Sequence, residues 1–424
     1  MAKKRSRNNK NDLQMKKRII IRVFSAFAGF DTQFIALLAY ARWYNQNANG
    51  PLIEFVLVGW CEIDKDAIVC HNALFPEAKS CHYPDITKVD WERVPDFDVL
   101  IYSSCCQSLT RAGSQKGMTE GSGTPSSLIW YIRDAIKVKR PKICLLENVP
   151  PLLETKFEGM FEKWTNTVSE LGYRNTWSTM CAADFGVPQN RNRAFLVSVR
   201  NDIKKNVYFP EPVGCKVQAE SLLEENVNEK YYYSEKDAAA FVFNLEDKTA
   251  ADFEMPQIHN KGRCFRKIIT PSCKGYNIHV CPTIVADKNY GKTNYKKLLS
   301  STHYPRPGVL EIWHTTEQVM IPYMEIIDKA VADTNRKFKI INRSKDDILA
   351  QINNMGVGDY FRLRKLTPCE CFRFMGVGEV DIDKLVNSGV SDDQLYKMSG
   401  NAIVVKVLCN LYTSIFNDVS SWFK

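Results

Sequence analysis

The stretch YSSCCQSLT, Tyr102 to Thr110, sets two adjacent cysteines directly after an apolar run, DVLIYS, that reads as a buried strand running into a loop. A thiol just past the carboxyl end of such a strand lies where open α/β sheets build their sites, so Cys105 and Cys106 are candidates for a nucleophile or a redox pair. Packing is the competing reading, because free cysteine is among the most buried residue types. Glu147 ends a second apolar run, KICLLENV, where a carboxyl is a candidate for a raised pKa and proton donation, or for a helix cap or ion pair. Arg191 and Arg193 stand two apart in FGVPQNRNRAFLV at the start of a strand. That spacing points both guanidiniums to one face, suited to an anion or an electron-rich carbonyl, unless they are ordinary surface arginines. Glu62 of GWCEIDKDA follows a third apolar run, where an acid either accepts hydrogen bonds from ribose hydroxyls or is merely solvated.

These residues need a scaffold, and its pattern is visible from Ile19 to about Pro210, where short apolar runs alternate with helical periodicity. IIIRVFSAF, IEFVLVGW, DVLIYSS, KICLLENV and RAFLVSVR read as strands. Phe34, Leu37, Leu38 and Ala41 mark the buried face of a helix, and further helices are expected in PSSLIWYIRDAIKVKR and around GMFEKWTNTVSEL. The expected fold class is α/β, a doubly wound, Rossmann-like, mostly parallel sheet with helices on both faces, over residues 19–210. The loop FSAFAGFDTQ carries small residues that let backbone pass close to a ligand, but Ala26 and Ala28 stand where a dinucleotide site would want glycine. A nucleotide-dependent oxidoreductase is therefore disfavoured.

After Pro210 the rhythm is lost until about Tyr360, which predicts a smaller, irregular domain over residues 211–378. Helical pattern returns with TPCECFRFMGV, opened by a Thr-Pro start signal, and with IVVKVLCNLYTSIF, so residues 379–424 are expected to pack back onto the first domain.

Composition bounds the class. The 424 residues are 45% hydrophobic and 25% charged, those of a soluble globular chain. The fourteen cysteines show no C-x-x-C and no Cys/His pairing at zinc spacing, so they read as reduced thiols in a cytosolic protein, with no metal site. The basic start, residues 1–18, precedes too short an apolar run for a secretion signal or a membrane span and reads as a flexible arm. Net charge is +9, and from Met255 to Leu310 ten Lys or Arg face one acid, Asp287, with Phe265, Tyr276, Tyr290, Tyr295 and Tyr304 interleaved. A basic stretch threaded with aromatics suits a nucleic acid.

Taken in order, the cofactor-type loop FAGFD, the acid Glu62, the Cys-Gln pair, Glu-Asn-Val, Gln-x-Arg-x-Arg, a variable region, RKLTPCECFRFMG and SGNAIVV resemble the DNA (cytosine-5) methyltransferases. The resemblance covers roughly 250 of the 424 residues, in two domain-sized spans. It implies S-adenosylmethionine as cofactor, bound over Phe27, Ala28, Gly29 and Phe30, with Glu62 and Ile63 at the ribose, Asp85 and Ile86 at the adenine, and Asn401 and Ala402 completing the pocket. It further implies Cys106 as nucleophile followed by Gln107, Glu147 protonating cytosine N3, and Arg191 and Arg193 holding the base carbonyl and the reactive loop. The family pattern has proline where this chain has Cys105, and a more usual TRSSL reads TPSSL here, with Pro125.

The chemistry explains the residue types. Carbon 5 of cytosine is too weak a nucleophile for a sulfonium methyl until a thiolate adds at carbon 6, and protonation at N3 promotes that addition. A basic neighbourhood is expected to lower the thiol pKa, and duplex DNA must first extrude the base. Expected partners are double-stranded DNA and a cognate restriction endonuclease, with the enzyme a monomer in the cytoplasm of a bacterial or phage-infected cell and no membrane contact. Two rivals keep the fold: a transfer RNA cytosine-5 methyltransferase, and a catalytically impaired, sequence-specific DNA-binding protein.

Overall fold

The computed structural model describes residues 17–231, except 48–49, 111–113, 190, 218 and 225, then residues 366–419 and Trp422, and the backbone of three short strands between them. The basic arm before Lys17 and most of the 211–378 region, including the side chains of the basic aromatic stretch, lie outside these residues.

Seven strands form one sheet: β1 (Arg18–Ala26), β2 (Leu52–Cys61), β3 (His82–Tyr83), β4 (Val99–Tyr102), β5 (Ile143–Asn148), β6 (Tyr173–Cys181) and β7 (Asn192–Arg200). Their spatial order is β3-β2-β1-β4-β5-β7-β6. β1 to β5 run parallel to one another, while β7 lies antiparallel to both β5 and β6. The chain therefore winds outward from β1 to β3, returns, and winds the other way from β4, placing a topological switch between β1 and β4. A crevice at the carboxyl ends of those two strands is where such sheets bind ligands.

Strand alternation feeds two cores. Ile21 and Val23 of β1 pack on one face with α1 (Thr32–Asn47), α2 (Lys65–Leu74) and the C-terminal helices. Phe24 and Ala26 pack on the other with α3 (Trp130–Lys139) and α4 (Thr155–Glu170). Period-two alternation with both faces buried demands helices on both sides, as the sequence predicts.

The tail adds α5 (Pro368–Phe374), α6 (Glu379–Val386), α7 (Asp392–Asn401) and α8 (Val405–Phe416). α5 starts in a capping box, with Thr367 Oγ1 accepting from Glu370 N while the Glu370 carboxylate accepts from Thr367 N. α8 lies on α1: the Phe416 ring sits 5.1 Å from Phe55 and 5.9 Å from Tyr40, and the Tyr412 hydroxyl donates to Gln33 O at 3.2 Å. No helix among the described residues is long and apolar enough to cross a membrane.

The first core also draws on residues between 211 and 378. Leu222, Leu223 and Tyr231 still pack against the first core, and Leu366, Phe372, Phe374 and Met375 belong to it, because the apolar face of α5 closes over Phe30 with rings 5.3 Å apart. Between these, β8 (Thr283–Ile284), β9 (Gly308–His314) and β10 (Asp359–Lys365) form a separate small sheet, with β9 antiparallel to β10. Strand β6 was not expected. Its sequence, YRNTWSTMC, has no apolar run, since it is an edge strand exposed along much of its length and secured by nine paired residues of β7.

Candidate active site

The loop after β4 crosses the switch point and is tied down on both sides. Ser103 N donates to Ala26 O of β1 at 3.4 Å. From the β5 side, Asn148 Nδ2 donates to Ser104 O at 3.0 Å and Ser104 Oγ at 3.3 Å, while its own Oδ1 accepts from Val149 N. Ser126, in the 3-10 turn Pro125–Ile129, donates to Cys105 O at 2.5 Å and accepts from Ser108 N at 3.2 Å. Cys106 then heads a tight turn, its carbonyl accepting from Leu109 N and Thr110 N. Cys105 and Cys106 are both free thiols and half-buried, and Gln107 is exposed.

Register sets the acid beside this loop. β4 and β5 pair Tyr102 with Leu146, so the next residues, Ser103 and Glu147, stand side by side. Glu147 is only 4% exposed, yet both carboxylate oxygens are engaged: Arg193 Nε lies 3.1 Å from Oε1, and the Ser103 hydroxyl donates to Oε2.

The two arginines do not share one role. Arg193 lies within β7 and reaches Glu147, whereas Arg191 precedes the strand, where period-two alternation does not govern direction. Buried Arg191 instead donates through Nη2 to Gly400 O at 2.6 Å and Ala402 O at 2.8 Å, clamping the SGNA segment to the sheet. Both guanidiniums nevertheless act on Cys106. Burial pushes that thiol up to about 11, Arg193 and more weakly Arg191 pull it down, and Cys105 and Glu147 push it up. The expected lowering by a basic neighbourhood is thus present but outweighed by desolvation.

Across the crevice, the loop after β1 takes left-handed backbone at Phe27, Gly29 and Asp31, with φ of 55°, 59° and 68°. Gly29 N donates to Glu62 Oε2 at 2.9 Å, and Glu62 Oε1 accepts from Ile63 N and Asp64 N, each at 2.8 Å. Glu62 therefore orders the loop as well as facing the crevice. A Cβ placed on Gly29 would meet nothing within 4 Å, so open space lies over the loop. Ala26 and Ala28 keep ordinary backbone, and their methyls enter the two opposite cores, which is why glycine is not needed there. Phe30 is buried beneath the loop, and Ile63 is 71% exposed beside Glu62.

The remaining expected pocket residues come from the rim. Asp85 caps a short turn through Thr87 N and Oγ1, hydrogen bonds that hold its carboxyl below the usual value, and Ile86 beneath it is buried. Asn401 is exposed at the end of α7, and buried Ala402 is positioned by Arg191 and by the neighbouring Ile403 N, which donates to Thr32 Oγ1 at 3.1 Å. Lys397 Nζ pairs with Asp64 Oδ2 at 2.5 Å, joining α7 to the start of α2. Sequence reasoning missed the residues that hold these groups: Ser103, Ser126, Asn148, and Gln189, which donates to Phe374 O at 2.7 Å. All four lie within stretches quoted above, but Ser103 carries no signal of its own.

A doubly wound sheet with a thiol, an acid and an arginine on one side of its switch point, and a left-handed loop with an acid on the other, is the arrangement a cofactor-dependent transferase needs. The sequence profile of the C-5 cytosine-specific DNA methylases matches residues 21–417, and the chain belongs to that family. Among characterised relatives, orphan methyltransferase M.SPRI of Bacillus phage SPR is 27% identical over 86% of this chain and 93% of its own length. Type II methyltransferase M2.ScrFI of Lactococcus lactis subsp. cremoris is also 27% identical, covering 94% of this chain and 100% of the relative. In fold, the chain is similar to a DNMT2 mutant of Spodoptera frugiperda (TM-score 0.60, 16% identity, 93% of this chain and 99% of that one) and to S. pombe Dnmt2 methyltransferase (0.56, 18%, 94% and 99%).

The family's cofactor is S-adenosylmethionine, and the residues present fit it. The open face over Gly29, the carboxylate of Glu62 and the exposed apolar side chain of Ile63 offer room, an acceptor for hydroxyls and a surface for a ring.

Proposed function

We propose that the protein extrudes a target cytosine from duplex DNA and methylates its carbon 5. The observation that carries this reading is the gathering of Cys106 and Glu147, at the carboxyl ends of β4 and β5, with Arg193, at the amino end of the antiparallel β7, facing Gly29 and Glu62 across the β1/β4 crevice.

Cys106 adds as thiolate to carbon 6, while Glu147 hydrogen-bonds the N3 edge and supplies the proton that draws electrons out of the ring. Arg193 holds Glu147 in place and, with Arg191, favours the thiolate electrostatically. When bound, S-adenosylmethionine supplies an electrophilic methyl group to the activated carbon 5. Water takes the carbon 5 proton, the electrons of that bond re-form the 5,6 double bond as the carbon–sulfur bond to Cys106 breaks, and N3 returns its proton to Glu147. Phe27 to Phe30, Glu62, Ile63, Asp85, Ile86, Asn401 and Ala402 hold the donor, and Gln107 lies at the exposed mouth where the base arrives.

Duplex DNA is favoured over transfer RNA by the long basic, aromatic-rich insert, since sequence discrimination requires side chains placed in a groove. Its bacterial and phage relatives favour the cytoplasm of a bacterial or phage-infected cell as its place of action.

The test is transfer of labelled methyl groups from S-adenosylmethionine to unmethylated genomic DNA by the wild type, Cys106→Ala and Cys105→Ala. Formation of 5-methylcytosine that is lost only with Cys106→Ala is expected. Transfer to transfer RNA alone would overturn the DNA assignment, and tight DNA binding without any transfer would make the protein a binder.

A further inference from the structure

The carboxylate of Glu147 is held by two partners of different chemistry. Arg193 Nε, on Oε1, is a donor only, and a guanidinium keeps its protons. The Ser103 hydroxyl, on Oε2, both donates and accepts. It is therefore the partner that stays bonded whether Glu147 carries a proton or not, donating to the carboxylate and accepting from the acid. Its position is fixed twice over. The β4/β5 register sets Ser103 opposite Glu147, and its backbone N–H is anchored to Ala26 O at the end of β1. The hydroxyl also lies 3.4 Å from Glu147 O, so a small rotation keeps it bonded to the same residue while the carboxyl turns. At a site where Glu147 is buried, no bulk water takes over this duty.

We infer that Ser103 is a positioning residue that orients the Glu147 carboxyl toward the base and follows its proton through thiol addition, an inference resting on the cytosine methylation reading above. It touches neither the base nor the cofactor in this role. Its effect belongs to the addition step, which can be observed without the methyl donor. Cys106 forms a bond to carbon 6, carbon 5 takes a solvent proton, and reversal removes the original carbon 5 hydrogen as a cation while the carbon–sulfur bond breaks. A tritium label at carbon 5 is then released to water.

The experiment compares wild type, Ser103→Ala and Ser103→Thr for methyl transfer and for tritium release from DNA labelled at cytosine carbon 5, alongside thermal unfolding. Loss of a hydrogen bond to a charged group predicts that Ser103→Ala lowers kcat and tritium release roughly 10- to 100-fold. KM for DNA and for S-adenosylmethionine should be little changed, and Ser103→Thr should recover most of the loss. Unchanged kcat and release in Ser103→Ala, a rise confined to KM, or a threonine variant as slow as alanine would each overturn the assignment. Wild-type protein that neither transfers methyl groups nor releases tritium would instead overturn the reading of the site itself.

Discussion

Arg193 Nε lies 3.1 Å from Glu147 Oε1, a cation from the antiparallel strand β7 set against an acid at the end of the parallel strand β5. The pair joins the two halves of the reactive centre, because the same guanidinium is the strongest influence drawing the Cys106 thiol back down against its burial. An acid and a nucleophile thus share one cation, so changes at Arg193 act on both.

The first prediction concerns pH. With Cys106 pushed up to about 11, alkylation of this thiol by iodoacetamide in a Cys105→Ala background should be slow near neutrality and rise toward pH 11. Arg193→Ala should move the curve to higher pH. The folded pKa is raised, so its contribution to stability is whole below the ordinary thiol value of 9.0 and is lost as pH rises from there through about 11. Mass spectrometry of the peptide against pH reads the curve, and a midpoint below 9 would contradict it.

Asn148 should matter more for the loop than its neutral side chain suggests. Asn148→Ala removes both donors to Ser104 in a buried setting and should cost about 1–3 kcal/mol of stability. Asn148→Asp, which cannot donate, should do no better. Urea unfolding gives the first number, and single-turnover methylation should show slower chemistry in both variants.

Glu62→Gln tests the cofactor loop. The amide keeps one acceptor for Ile63 and Asp64 but turns a donor toward Gly29 N, so the loop loses a charge-assisted bond. S-adenosylmethionine affinity should fall roughly 10-fold or more by calorimetry. DNA binding should stay at the wild-type level.

Arg191 is predicted to act on the tail rather than on the base. Arg191→Met leaves the carbonyls of Gly400 and Ala402 without their donor and should destabilise the protein by about 3 kcal/mol. Limited proteolysis should then cut near residue 400 faster than in wild type. A stable variant whose only defect is in kcat would show that Arg191 serves the base directly.

Much of this was legible in one dimension because the governing physics is local. Apolar runs of strand length, helical periodicity such as Phe34, Leu37 and Ala41, and the Thr367-Pro368 start signal each depend on neighbours in sequence, and they gave the α/β class, the strand that carries Glu147 and the strands that lead to Cys106 and Glu62. The motif order sufficed for the family. What the tertiary structure alone decided depends on residues brought together from far apart. Edge strand β6 exists because β7 offers it a full ladder, not because its own residues favour it. Phe372 joins the first core because its ring packs edge-on against Phe30, far away in sequence. Arg191 bonds the tail because the carbonyls of Gly400 and Ala402, more than two hundred residues away in sequence, lie within reach of its Nη2. The thiol pKa rose because burial, a property of the assembled fold, outweighs two nearby charges whose presence the sequence could suggest but whose balance it could not weigh.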